Sequence, residues 1–188
     1  MTNFNFKPIL QTGAFLIDNF FLDDNRGYFS KIFEKVLYEK TNIEFNVSES
    51  FISSSKKNVI RGMHFQYHNP QSKLISVLKG KIYDVIIDLR KNSKYYKKYF
   101  SFELNDKDYK SLLIPRGFAH GFLSMMDDTI MLYMCDGKYD KETDTGIVFN
   151  DKDINILWPI TNFNDIIISK RDLSLMTFDE FNRNIGGL

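Results

Sequence analysis

The chain has 188 residues, 43% hydrophobic and 15% aromatic, and its 25 basic and 24 acidic side chains leave a formal net charge of +1. That length reads as one domain over residues 1–188 with a short helical tail from about 173, and it buries about 70% of the unfolded surface, enough for a core without staples. The charge balance excludes the basic footprint of a nucleic-acid or anionic-membrane binder, and the lone Cys135 excludes an intramolecular disulfide and fits a cytoplasmic protein.

The N-terminus, "MTNFNFKPIL", lacks the basic start and apolar stretch of a signal peptide. No apolar run approaches the length of a membrane span. The first predicted element is a helix over "IFEKVLYEK", where Ile32, Val36 and Tyr38 recur at roughly helical spacing. "NVIRGMHFQ", Asn58 to Gln66, reads as a core strand yet carries Arg61, His64 and Gln66. In "KLISVLKGKIYDVIIDL", Lys79-Gly80-Lys81 fits a hairpin turn between two strands. Tyr83, Val85, Ile87 and Leu89 share one face of the second strand, and Ile82, Asp84, Ile86 and Asp88 share the other. One apolar and one mixed face suit the wall of a barrel with a partly polar interior. "KKYFSFEL" and "TIMLYMC" are further strands, and many short strands at this spacing point to a sandwich or barrel. Near the C-terminus Thr177 precedes Glu180 by three, a capping-box pattern, with Phe178 and Phe181 behind it. The prediction is a mainly β chain with a few short helices.

There are three histidines. His68 precedes "NPQ" and is expected in an exposed loop. His64 and His120 lie in apolar surroundings beside glycines. Either alone reads as a satisfied core histidine. Together with Arg61, Gln66 and Lys73 they point to a polar pocket, because charged groups are rarely buried unpaired. A metal site is the rival reading. Its compact ligand set would be His-x-His followed by Glu, but Gln66 stands two after His64 and Lys73 follows. Glutamine is a poor ligand and an ammonium repels a cation, so the residues favour a metal-free pocket. A neutral histidine in such a pocket can take a proton from a carbon made acidic by a carbonyl. A carboxylate behind it fixes its tautomer, a lysine or second histidine stabilises the enolate, and a tyrosine on the opposite face returns a proton.

"RGMHFQ", "KLISVLKGKIYDVIIDLR", "IPRGFAHGFL", "LYMCDGKY", "GIVFNDKDINILWP" and "SKRD" stand in order over Phe15 to Asp172. Together they resemble the dTDP-4-dehydrorhamnose 3,5-epimerase family of cupin-like proteins. The resemblance implies a jelly-roll β-barrel, a homodimer, no cofactor, and a nucleotide-diphosphate 4-keto-6-deoxy sugar as substrate. It implies that His64 is the base, Asp172 its carboxylate, Tyr133 the acid, and Lys73 the enolate stabiliser with His120 nearby. Arg61 and Arg26 resemble the diphosphate grips, with Arg26 reaching into the partner's site. Tyr139 resembles the aromatic beside the nucleobase. Gln66 and Ser53 line the pocket, and Asp84 is expected behind Lys73. Gly62 is expected to let the chain pass close to the substrate.

The departures cluster where the family reads the nucleotide. Lys31 stands where a glutamate is usual, Leu22 where an aromatic is common, and "ESF", Glu49 to Phe51, replaces a Gln-Asp-Asn-like run. A carboxylate such as Glu49 suits guanine's donor edge. The expectation is therefore a guanosine-diphosphate-linked 4-keto-6-deoxy-heptose destined for surface polysaccharide. The alternatives are the thymidine-linked substrate, a single-centre epimerase, a ketoisomerase, or a non-catalytic sugar-nucleotide-binding barrel.

Overall fold

The computed structural model describes residues 4–40 and 43–188. Among these described residues thirteen strands form two facing sheets and a separate hairpin, and every strand pairing within them is antiparallel. The six-stranded sheet runs β1 (Asn5–Pro8), β2 (Phe15–Asp18), β10 (Lys110–Ile114), β7 (Ser72–Lys79), β12 (Thr129–Asp136), β5 (Val47–Ser55). The five-stranded sheet runs β13 (Asp144–Gly146), β6 (Ile60–Gln66), β11 (Phe118–Ser124), β8 (Lys81–Asp88), β9 (Tyr99–Asn105). β3 (Phe20–Asp24) and β4 (Gly27–Lys31) make the hairpin. This is the expected mainly β, cupin-type jelly-roll barrel.

The Lys79-Gly80-Lys81 turn corrects the hairpin expectation. β7 pairs with β10 and β12, whereas β8 pairs with β11 and β9, so the turn carries the chain from one sheet to the other. Gly80 sits at φ +88°, and a Cβ there would meet the Thr129 hydroxyl. The corner thus needs both the backbone freedom and the missing side chain.

Three apolar clusters result. Ile75, Val77, Ile82, Ile86, Phe122 and Met131 fill the barrel between the sheets. The mixed face of β8 looks inward, where Asp84 stands beside the apolar filling. Its other face, with Val85, Ile87 and Leu89, looks outward but is covered by Phe149, Trp158, Phe178 and Phe181 from the C-terminal segment. That explains why the outward face of β8 is apolar. Outside the six-stranded sheet an aromatic cluster joins Phe6, Phe15, Phe33, Tyr38 and Phe45.

Helix α1 spans Lys35–Lys40, shorter than expected. Ile32 and Phe33 lie outside it, packed against the aromatic cluster. Helix α2 (Lys170–Leu173) was not anticipated. Helix α3 (Phe178–Asn184) begins at Thr177 with the predicted capping box complete. Phe181 is fully buried and edge-on to Phe65, with ring centroids 5.3 Å apart. Phe181→Ala is expected to cost about 3–5 kcal/mol in urea unfolding. Phe163→Ala, at an exposed ring, is expected to cost under about 0.5 kcal/mol.

Candidate active site

His64 lies on β6 and Asp172 on α2, 108 residues apart, and His64 Nε2 meets Asp172 Oδ1 at 2.9 Å. The Gly62 amide donates to the other carboxylate oxygen at 3.1 Å, and Ser169 caps α2 by accepting from the Asp172 amide. Burial opposes ionisation of Asp172. The bonds from His64, Gly62 and Ser169 outweigh it and hold the carboxyl below its ordinary value. With Nε2–H donating to a carboxylate, the ring's lone pair sits on Nδ1, so the pair is a base with a fixed tautomer. Gly62 also has a packing role. A Cβ on it would strike the backbone of His120 and Gly121 on β11. Its lack of side chain lets β6 lie tight against β11.

Tyr133 reaches the same cavity from β12, in the opposite sheet. The space between them, about 220 Å³, is lined by Ser53, Arg61, His64, Lys73, His120 and Tyr133, with Phe51, Gly121 and Phe122 completing the wall. Burial pushes the Tyr133 phenol well above its usual range, opposed by the nearby Ser53 hydroxyl. It therefore stays protonated and can donate. Besides the Ser53 hydroxyl, its hydroxyl meets Met131 Sδ in a weak contact at 3.5 Å.

Lys73, on β7, neighbours Cys135 across the strand pair. Burial lowers its pKa, opposed by the Cys135, Asp144 and Glu49 charges. Among the described residues it has no hydrogen bond or ion pair, so its nitrogen is free for a ligand. His120 Nε2 meets Asp84 Oδ2 at 2.7 Å, both buried. Asp84 was expected to hold Lys73 and instead orients His120. Burial raises its carboxyl, opposed by His120. Arg61 stands at the cavity mouth, donating from Nε to Ser55 Oγ at 3.1 Å and from its terminal nitrogen to the Ser54 carbonyl at 3.0 Å.

A second space, about 150 Å³, adjoins the first through Phe51, His64 and Lys73 and is walled by Glu49, Gln71, Tyr139 and Asp144. Gln71 donates to Glu49 at 2.8 Å and to the Gly137 carbonyl at 2.9 Å. Gln66 is buried and spends its amide on the loop backbone: it donates to the Lys138 carbonyl and accepts from the Asp140 amide. It thus holds the loop that presents the exposed Tyr139. Tyr139 donates to Asp144 at 3.1 Å, and Arg171 pairs with the same carboxylate at 2.7 Å.

Sequence reasoning missed Gln71, Asp144 and Arg171. Arg171 stands beside Asp172 in "SKRD", which was the available signal. Arg26 and Lys31 are not brought into the site of their own chain. Arg26 is exposed and forked onto Asp24, and Lys31 pairs with Glu34 at 2.6 Å. His68 is exposed as expected. Among the described residues no group of three or more His, Cys, Asp or Glu stands together as a metal cluster, and no helix is long and apolar enough to cross a membrane.

A model of the family described as dTDP-4-dehydrorhamnose 3,5-epimerase matches residues 10–180. The chain belongs to this family. It is an isomerase of the epimerase class. It is 40% identical over 172 residues to the dTDP-4-dehydrorhamnose 3,5-epimerase of Methanothermobacter thermautotrophicus, covering 92% of this chain and 93% of that one. It is 38% identical over 165 residues to the Escherichia coli enzyme of the same name, covering 85% and 86%. A solved dTDP-6-deoxy-D-glucose-3,5-epimerase from Legionella pneumophila, in complex with dTDP-4-keto-L-rhamnose, superposes with a TM-score of 0.92 at 27% identity over 97% of both chains.

Asp172→Asn is expected to lower turnover about 10²–10⁴-fold, because the amide favours the wrong tautomer. A carboxyl held below its ordinary 3.8 adds stability above that pH and loses it as pH falls through the lowered value. Acid unfolding followed by circular dichroism should therefore show wild type losing this increment below about pH 4, while Asp172→Asn lacks it at every pH.

Proposed function

We propose that this protein is a dTDP-4-dehydrorhamnose 3,5-epimerase, inverting C3 and C5 of a thymidine-diphosphate-linked 4-keto-6-deoxy sugar without a cofactor. The observation that carries the reading is the His64–Asp172 pair facing the Tyr133 phenol across one cavity, each from a different sheet. The names and bound sugar of the relatives support the nucleotide.

His64 takes the proton from the carbon beside the C4 carbonyl. The C–H electrons move into the enolate, whose oxygen is met by Lys73 and His120. Tyr133 then gives its proton to the other face of that carbon. The phenolate regains a proton from solvent and the imidazolium loses one, so the cycle is redox-neutral. The sugar presents its second carbon for the same steps. Arg61 grips the diphosphate, and Tyr139 lies against the base.

The guanosine-linked heptose draws no support from the relatives, whose names carry thymidine-linked sugars. The two sequence departures behind it also have local uses here. Glu49 is engaged by Gln71, and Lys31 is paired with Glu34. The homodimer is part of the same proposal. The β3–β4 hairpin exposes Tyr28 and Phe29 beside Arg26. Docked on a second copy, it would bury those rings and carry Arg26 to that copy's diphosphate.

The test is NMR in D2O with dTDP-linked and GDP-linked 4-keto-6-deoxy sugars. Deuterium is expected at both C3 and C5 of the dTDP sugar, at least about tenfold faster than with GDP, a 1.4 kcal/mol preference. Faster turnover of the GDP sugar would overturn the nucleotide assignment, and deuterium at one carbon alone would make it a single-centre epimerase.

A further inference from the structure

Phe51 has no part in the proton path, yet it touches the group that ends it. It sits on β5, the edge strand of the six-stranded sheet, as the register partner of Tyr133. The two rings stack with centroids 4.7 Å apart and planes 14° from parallel. Tyr133 is 7% exposed, whereas Phe51 is 46% exposed and forms a wall of both cavities. Phe51 is thus the plate between the tyrosine ring and open solvent on that side. The other side of the ring rests on the barrel filling with Ile75 and Met131.

Among the described residues the Tyr133 hydroxyl reaches the Met131 thioether, a weak acceptor, at 3.5 Å, with the Ser53 hydroxyl nearby. Packing therefore shares in setting the direction of the phenol, and a stacked aromatic pair has the flat contact to do so. The same cover keeps water off the ring and so favours the neutral, donating form.

We propose that Phe51 is a positioning residue that holds and shields Tyr133, so that reprotonation comes from Tyr133 rather than back from His64. The proposal rests on the reading of Tyr133 as the acid. Loss of the plate should leave proton abstraction by His64 in place but let the proton return to the face it left. In D2O that outcome is deuterium in sugar that has not inverted.

The experiment compares wild type, Phe51→Ala and Phe51→Tyr in two assays. The first needs no substrate: nitration of Tyr133 by tetranitromethane, followed by mass spectrometry of its peptide. Phe51→Ala should speed it roughly fivefold, the scale of one aromatic pair, and Phe51→Tyr should restore protection. The second is the ratio of deuterium in unepimerised sugar to inverted product, with the dTDP-linked substrate. It should rise by a similar factor in Phe51→Ala and return in Phe51→Tyr, with melting temperature as the folding control. Unchanged nitration would overturn the shield, and an unchanged ratio would overturn the positioning role even if kcat fell. A wild type that exchanges no proton with any 4-keto sugar would defeat the proposed function instead, and nitration would still decide whether Phe51 covers Tyr133.

Discussion

The hydrogen bond between His64 and Asp172 ties the chain's two halves to one chemical purpose. It joins a strand in the barrel wall to a four-residue helix more than a hundred positions later. Asp172 can stay ionised in its buried place only because His64, the Gly62 amide and Ser169 all face it. Gly62, which offers that amide, has no side chain to hold β6 away from β11. The C-terminal segment must therefore wrap the outside of the five-stranded sheet, and its apolar cluster with Phe149, Trp158, Phe178 and Phe181 makes it do so. Packing on the outer wall thus sets the tautomer of a base on the inner one.

The same economy runs through the rest of the cavity. A barrel interior with polar groups is costly unless each finds a partner or a ligand. Asp84 is matched by His120, and Gln66 by the loop backbone. Lys73 is a cation without a hydrogen bond among the described residues, and the second Asp84 oxygen, Oδ1, is likewise buried without a hydrogen-bond partner. A cation left so is ready to meet negative charge that develops during a reaction. Tyr133 is poised differently. Its burial disfavours the anion, so it is an acid that must hand over its proton to a waiting carbanion and then recover it from solvent.

Much of this was legible in the sequence. The alternation in "KIYDVIID" marked a barrel wall, and Thr177 with Glu180 marked the start of α3. His64, His120 and Lys73 stood out as polar groups in apolar runs, Tyr133 and Asp172 came from motif resemblance, and the structure gathers His64, Tyr133, Lys73 and His120 around one cavity, with Asp172 behind His64. What was not legible depended on partners distant in the chain. Lys79-Gly80-Lys81 has the composition of a hairpin turn, but which sheet receives the second strand is a tertiary matter. Asp84 had no local sign that His120, rather than Lys73, would lie across from it. Glu49 and Lys31 looked like nucleotide readers because Gln71 and Glu34 could not be seen beside them.

Base and acid face each other from opposite walls of one cavity. Deuterium exchange and inversion of the 4-keto sugar should be measured together in D2O for His64→Asn and Tyr133→Phe. His64→Asn should lose both, and Tyr133→Phe should keep exchange while inversion falls by about 10²-fold or more. Wild-type inversion in Tyr133→Phe, or wild-type exchange in His64→Asn, would contradict these roles.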